Sequence, residues 1–232
     1  MSDTSRARKP AVIVGAAGHR DLHECGASQL RRHVAAFLAD LQRHLPHAEL
    51  RIMTGMAHGA DLLVVQAALQ AGWKIDATLP LPLERHVEDF DAQSAAALRA
   101  VLANPAVNCT VLPAPDGSDP QAKHGAGRAV FYSNLTQVLI ERTHLLLAIW
   151  DGKASQRPGG TADTVRRYLA VHSHFVYWIP TQRRGAVDRA SDRASKGPTY
   201  LTAVGDTLHE HGEAMPHALE QQLRSVLLRA RP

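Results

Sequence analysis

The sequence predicts an α/β protein with a Rossmann-like, doubly wound, mainly parallel sheet and helices on both faces. Three observations carry that expectation. Apolar runs of strand length alternate with longer stretches of helical periodicity, an order that calls for crossover connections and hence parallel strands. Glycine-bearing turns follow three of the runs and precede a helix, over residues 15–21, 54–61 and 150–161. In such a sheet all three turns fall at the carboxyl edge of the strands, where doubly wound folds hold their ligands.

Taken in order, residues 1–9 are polar and expected to fray. Ala11-Val12-Ile13-Val14 is a buried first strand opening into a loop over 15–21. That loop lacks the full dinucleotide fingerprint, because Ala17 and Cys25 fall where further glycines belong. Over 27–45, Leu30, Val34, Phe37, Leu38, Leu41 and Leu45 recur at helical spacing, with Ser28 or an earlier residue as cap and Pro46 beyond the end. Residues 49–53 form a second strand. The helix after it, 61–71, closes at Gly72 and is apolar on most sides, so it should be well buried.

A third strand, 73–79, is stopped by Pro80-Leu81-Pro82. Residues 84–104 read as helix in two pieces with Leu98, Val101 and Leu102 inward, and 108–112 as a fourth strand. The stretch 113–127 is rich in Pro, Gly and Asp and long enough to rim a site. A helix over 128–143 turns Val130, Phe131, Leu135, Val138 and Leu139 inward. The run 145–149 is a buried strand, 161–171 a helix, and 174–179 a sixth strand ended by Pro180.

Beyond Pro180 the composition shifts. Residues 181–198 are basic and small, and Asp188-Arg189-Ala190-Ser191 recurs at once as Asp192-Arg193-Ala194-Ser195, the mark of a flexible loop. Residues 200–204 are a short strand, and 216–229 an amphipathic helix with Leu219, Leu223, Val226 and Leu227 on one face. That helix docks on the main domain or on another subunit. The expected organisation is a flexible start over 1–10, one domain over 11–180, and a basic loop with a C-terminal helix over 181–232.

Composition narrows the function. Aromatics at 5% argue against a stacking platform for single strands. The net charge of +4 sits largely at the ends, in Arg6, Arg8, Lys9 and the arginines after residue 182, which keeps a polyanion partner open. Cys25 and Cys109 give neither a disulfide framework nor metal spacing, and no apolar run is long enough for a bilayer. A cytoplasmic protein with no membrane partner is expected. The 14 histidines lack a third ligand at any familiar spacing, so no metal is expected.

The turns supply the candidate site. Gly159, Gly160 and Thr161 offer backbone amides and a hydroxyl to a phosphate, with a helix dipole worth about 0.3–1 kcal/mol; the plain alternative is a tight turn with Thr161 as cap. Thr54, Gly55, His58, Gly59 and Asp61 form a second wall, where Asp61 holds a ribose hydroxyl or caps its own helix. Gly18, His19 and Arg20 follow the first strand, and Arg20 suits a fork onto phosphate or a salt bridge with Asp21 or Asp151. Asp151 and Lys153 flank Gly152: Lys153 is a phosphate contact or a solvent-facing charge, and Asp151 holds a ribose, orients Arg20 or only turns the chain. Glu84 and Asp89 rim the pocket or, as the favoured reading, form a solvated helix face, and Ser133 and Asn134 are core or capping residues on a helix whose start faces the site. No Gly-x-Ser-x-Gly elbow, Walker lysine motif or His-Glu-x-x-His is present, and catalytic residues are unassigned.

Gly18-His19-Arg20, the run from Thr54 through Gly55-Met56-Ala57-His58-Gly59-Ala60 to Asp61, and Trp150-Asp151-Gly152-Lys153 with Pro158-Gly159-Gly160-Thr161 resemble the SLOG superfamily. That group takes in the Smf/DprA proteins, the LOG phosphoribohydrolases and many nucleotide-sensing domains, and the resemblance covers about residues 11–180. It implies a Rossmann-like domain that binds or senses a nucleotide, a cyclic nucleotide or an NAD/ADP-ribose derivative at these loops. In the LOG enzymes the Pro-Gly-Gly turn continues into Gly-Thr and a glutamate that serves N-glycosidic cleavage. Here Gly160 runs straight to Thr161 and the next acidic residue is Asp163; Glu141-Arg142 is the nearest helix-borne pair. Binding is therefore expected over catalysis, with no required cofactor. An N-glycosidase of the LOG type, drawing on Asp61, Asp151 or Glu141, is the alternative, and DprA-like nucleic-acid binding the second. A ligand sensor would work as a homo-oligomer or through a separate effector protein.

Overall fold

The computed structural model describes residues 10–23, 26–119, 121–122, 125–171, 174–185, 196–205 and 207–229. The elements are β1 (Ala11–Gly18), α1 (Ala27–His44), β2 (Glu49–Thr54), α2 (Ala60–Gln70), β3 (Lys74–Leu79), α3 (Leu83–His86), a 3-10 turn (Val87–Asp89), α4 (Ala92–Leu102), β4 (Val107–Val111), α5 (Gly125–Arg142), β5 (Leu145–Trp150), α6 (Thr161–Leu169), β6 (Val176–Pro180), β7 (Thr199–Val204), β8 (Thr207–Glu210) and α7 (His217–Arg229). One sheet holds the strands in the order β4-β3-β2-β1-β5-β6-β7-β8. The first six are parallel, and β7 and β8 add an antiparallel hairpin to the edge. The chain winds outward from β1 to β4 and then returns through α5 to lay β5 on the other side of β1. The strand order thus reverses between β1 and β5, and the doubly wound parallel architecture is as expected.

Alternation along β5 shows how the layers form. Leu145, Leu147 and Ile149 enter the core beneath α1, α2 and α7, with Val34, Phe37, Val64, Leu219 and Leu223. Leu146, Ala148 and Trp150 enter the opposite core with Val165, Tyr168 and Leu169 of α6. A strand buried on both faces must be apolar throughout, and all six residues of β5 are buried. A smaller cluster of Met53, Leu112, Leu135 and Leu139 seats α5.

Several expectations are corrected. β1 does not stop at Val14: residues 15–18 remain strand, with Ala16 opposite Thr54 and Gly18 opposite Ile149. A Cβ on Gly18 would lie 2.3 Å from Ala60 Cβ, so the missing side chain is what lets the strand end pass the start of α2. α1 ends at His44, one residue short of the expected end, and its cap is Gly26, the earlier residue that the expectation allowed, with Ser28 inside the first turn. α5 begins at Gly125, inside the expected loop, and Val130 is 42% exposed because Phe131, Leu135 and Leu139 define the buried stripe. α6 stops at Leu169, and β6 starts at Val176 and includes Pro180, opposite Trp150. The strand β8 carried no expectation. The termini, Cys25 and the duplicated tetrapeptide lie outside the described residues. Among the described residues no helix is long and apolar enough to cross a membrane, and no three metal-ligating side chains come together.

Candidate functional site

Where β1 and β5 diverge, an open cleft of about 1450 Å³ lies at the carboxyl edge of the sheet. Its floor is Ala16, Ala17 and Gly18, small residues that leave the strand ends bare. Gly18, His19, Arg20, Gly55, Asp61, Asp151, Lys153, Gly159, Gly160 and Thr161 all line it, so the structure brings together ten of the expected residues. Thr54, His58 and Gly59 do not line it.

Those three serve the wall from behind. The Thr54 hydroxyl donates to Asp61 Oδ2 at 2.8 Å, and the Ala57 amide donates to the same oxygen at 3.1 Å. Burial pushes the Asp61 carboxyl up to about 6, against the pull of these donors. Asp61 thus braces its own turn; it does not cap α2, whose cap residue is Gly59 with no side-chain bond, and it also lines the cleft. Gly59 has φ +82, and a Cβ there would lie 2.3 Å from the Arg20 carbonyl and 2.7 Å from that of His19. The Ala60 amide donates to the His19 carbonyl at 3.1 Å, tying the loop after β1 to the start of α2. His58 stacks edge-on against Phe90, and burial lowers its pKa.

The expected phosphate turn is partly committed. The Gly159 amide donates to Asp163 Oδ2 at 3.0 Å, and the Gly160 amide to the Arg157 carbonyl at 3.2 Å. Gly160, not Thr161, is the cap residue of α6, and Asp163 reaches back from the first turn as an intramolecular anion. The amides of Thr161 and Ala162 remain at the mouth of the helix, where its dipole favours negative charge. Gly159, at φ +69, lets α5 press close: a Cβ would lie 2.6 Å from Tyr132 backbone carbon.

On the other wall Arg20 pairs with neither Asp21 nor Asp151. Its Nη1 lies 3.4 Å from Asp89 Oδ2, and its guanidinium sits over the Tyr132 ring at 5.2 Å. Asp89 is therefore part of the site, and the solvated-face expectation holds only for Glu84, which forks onto exposed Arg99. Arg128 and the Tyr132 hydroxyl also converge on Asp89, holding its carboxyl below the usual range against burial. Arg128, Tyr132, Arg167 and Arg183 line the cleft and were not anticipated. Helix α5 was legible, but which of its faces borders the cleft was not. Ser133 and Asn134 also line it; Ser133 accepts from Arg167 at 3.0 Å.

His19 Nε2 lies 3.0 Å from Asp151 Oδ1 and 3.2 Å from the Asp151 amide, joining the β1 and β5 loops across the cleft floor. Arg183 bridges to Asp21 at 2.9 Å, bringing the segment after β6 onto the same rim. Lys153 is exposed at the rim. Glu141 is exposed near the end of α5, one turn before β5 begins, and so lies at the amino edge, away from the cleft.

No protein-family model matches the chain, and no curated protein matches it. Among solved structures it is similar to DNA processing protein A (DprA) of Streptococcus pneumoniae, with a TM-score of 0.50 and 20% identity, over 80% of this chain and 55% of that one. It is also similar to DNA processing protein A of Helicobacter pylori, in a structure of that protein's single-stranded DNA binding mode, with a TM-score of 0.44 and 16% identity, over 79% and 71%. The chain spans about half the length of the first of these. The likeness to the pneumococcal protein is one of fold, a Rossmann-like α/β sheet.

Proposed function

We propose that the protein binds a nucleotide-derived, phosphate-bearing ligand in the cleft between β1 and β5, and holds it without reacting with it. The observation that carries this reading is the lining of the switch-point cleft. Cations outnumber carboxylates along it, and the start of α6 and Arg20 both face the same space. Binding is favoured over N-glycosidic cleavage because the carboxylates are engaged. Asp61 braces its turn, Asp151 Oδ1 accepts from the Lys153 amide at 3.1 Å, and Glu141 is at the wrong edge.

A thermal-shift panel of AMP, cyclic nucleotides, NAD and ADP-ribose tests this. A ligand present at about 100 times its Kd stabilises the fold by about 2.7 kcal/mol, which is read as a rise of several degrees in Tm. No rise with any member would sink the reading, and release of free base would replace it with the hydrolase.

The size of the cleft favours a second reading, single-stranded DNA, the ligand named for the Helicobacter protein. Its volume exceeds the roughly 300–1,000 Å³ common for small-molecule pockets. An oligonucleotide bound more tightly than a mononucleotide at 0.3 M salt would promote that reading, because a merely electrostatic contact weakens steeply with salt.

A further inference from the structure

We propose that Asp89 is a built-in occupant of an oxyanion subsite, its carboxylate sitting where a terminal phosphoryl group of the ligand seats between Arg20, Arg128 and Tyr132. Naming the group as part of a nucleotide rests on the reading above, whereas the subsite stands on its own geometry.

Three donors hydrogen-bond to the single oxygen Oδ2 of Asp89: the Tyr132 hydroxyl at 2.8 Å, Arg128 Nε at 3.3 Å and Arg20 Nη1 at 3.4 Å. Arg128 Nη2 adds an ion-pair contact at 3.1 Å. One carboxylate oxygen offers about two lone-pair directions, so it cannot align them all. The three arginine contacts are accordingly longer than the roughly 2.7–2.9 Å of a good charge-assisted bond. Arg128 makes the surplus plainer. Its side chain is 7% exposed, Nη2 also donates to the Arg85 carbonyl at 2.8 Å, and Nη1 is buried with no hydrogen bond. The nearest acidic oxygen to Nη1 is Glu88 Oε2 at 4.0 Å, too far for a hydrogen bond.

Charge points the same way. Arg20 and Arg128 face Asp89, while Glu88, 4.0 Å from Arg128, is already paired with Arg85 at 2.9 Å, which leaves one positive charge over. A terminal phosphoryl group has three acceptor oxygens and nearly two negative charges at neutral pH, enough for both guanidinium forks and the hydroxyl. Asp89 is able to leave. It ends the 3-10 turn Val87–Asp89, none of whose residues is buried, and its side chain is already 23% exposed. A rotation toward solvent vacates the nest without disturbing α4, whose cap is Asp91.

Displacement of a resident carboxylate makes the subsite selective. An incoming group must outbid an anion of one charge that is already tethered in place. Phosphomonoesters and pyrophosphates do so; carboxylates and singly charged phosphodiesters, cyclic nucleotides included, do not. The ligand class is therefore a nucleotide carrying a terminal phosphate.

The test uses the full chain, with inorganic pyrophosphate as the probe, titrated calorimetrically at constant ionic strength against wild type, Asp89→Asn and Asp89→Ser. Removing the competing charge is expected to tighten pyrophosphate binding by about tenfold or more in both variants. Adding Arg128→Gln to Asp89→Asn should abolish the gain. Unchanged or weaker pyrophosphate binding in both variants, with wild-type circular dichroism, overturns the proposal. A gain with pyrophosphate but no nucleotide binding by any variant keeps the subsite and ends the nucleotide reading. Nucleotide binding that ignores Asp89 does the reverse.

Discussion

Asp61 is a carboxylate placed where ionisation is costly. It is 6% exposed, and two neutral donors, the Thr54 hydroxyl and the Ala57 amide, share one of its oxygens. Burial outweighs these bonds and raises the carboxyl to about 6. The folded chain therefore binds a proton more tightly than the unfolded chain, whose aspartates titrate near 3.9. The associated stability is fully present below about pH 4 and is lost as pH rises through about 6. Asp61→Asn retains an acceptor oxygen and does not titrate, so its stability relative to wild type should grow by up to about 3 kcal/mol between pH 4 and pH 7.5. Urea midpoints of both proteins at the two pH values measure this; a difference that stays flat would remove the strained carboxylate from the account. The same residue shows what a sequence leaves open. Its place in the turn after β2 marked it as a ribose candidate or a helix cap, but the brace it forms with Thr54 and Ala57 depends on where its oxygens point.

At the level of elements, the glycines at the sheet edge divide into those that meet backbone and those that meet a movable side chain. A Cβ on Gly59 would strike the Arg20 and His19 carbonyls, and φ there is +82. A Cβ on Gly55 would lie 2.3 Å from Leu135 Cδ2, the end of a side chain that can rotate away. Gly59→Ala should accordingly cost about 3 kcal/mol, combining left-handed strain with overpacking, against about 1 kcal/mol for Gly55→Ala. Thermal melts of the pair decide it, and equal losses would show that the β1 loop is not clamped on α2. Periodicity exposed most of these elements, since α1, α2 and β5 owe their form to their own apolar pattern. The end of β1 was hidden because residues 15–18 are glycine and alanine, and their strand geometry comes from pairing with β2 and β5 on both sides. β8 was hidden because all four of its residues are exposed, so no burial pattern marks it.

For the whole molecule, the parallel order and the switch point were legible because alternating strands and helices admit few topologies. The anion nest was not. Asp89 and Arg128 stand 39 residues apart, on a 3-10 turn and a helix with β4 between them, and only the wound sheet brings them together. The C-terminal segment poses the same kind of question, since an amphipathic helix can cover its own domain or a neighbour. In the structure Leu219 and Leu223 of α7 are fully buried, in the same cluster as Val12 and Val14 of β1 and Val34 of α1. A helix so placed belongs to the main cooperative unit, and its loss should be felt by the distant sheet. Leu223→Ala should therefore lower the unfolding free energy by about 3 kcal/mol, the usual size for a buried leucine whose cavity cannot collapse. Trp73, Trp150 and Trp178 lie at β3, β5 and β6, so tryptophan fluorescence follows the sheet while far-ultraviolet dichroism follows the helices. If α7 is part of one core, both signals shift together in urea and remain superimposable. A variant in which dichroism falls first, with the fluorescence midpoint unmoved, would mean that α7 is an independent appendage and that the sheet stands without it.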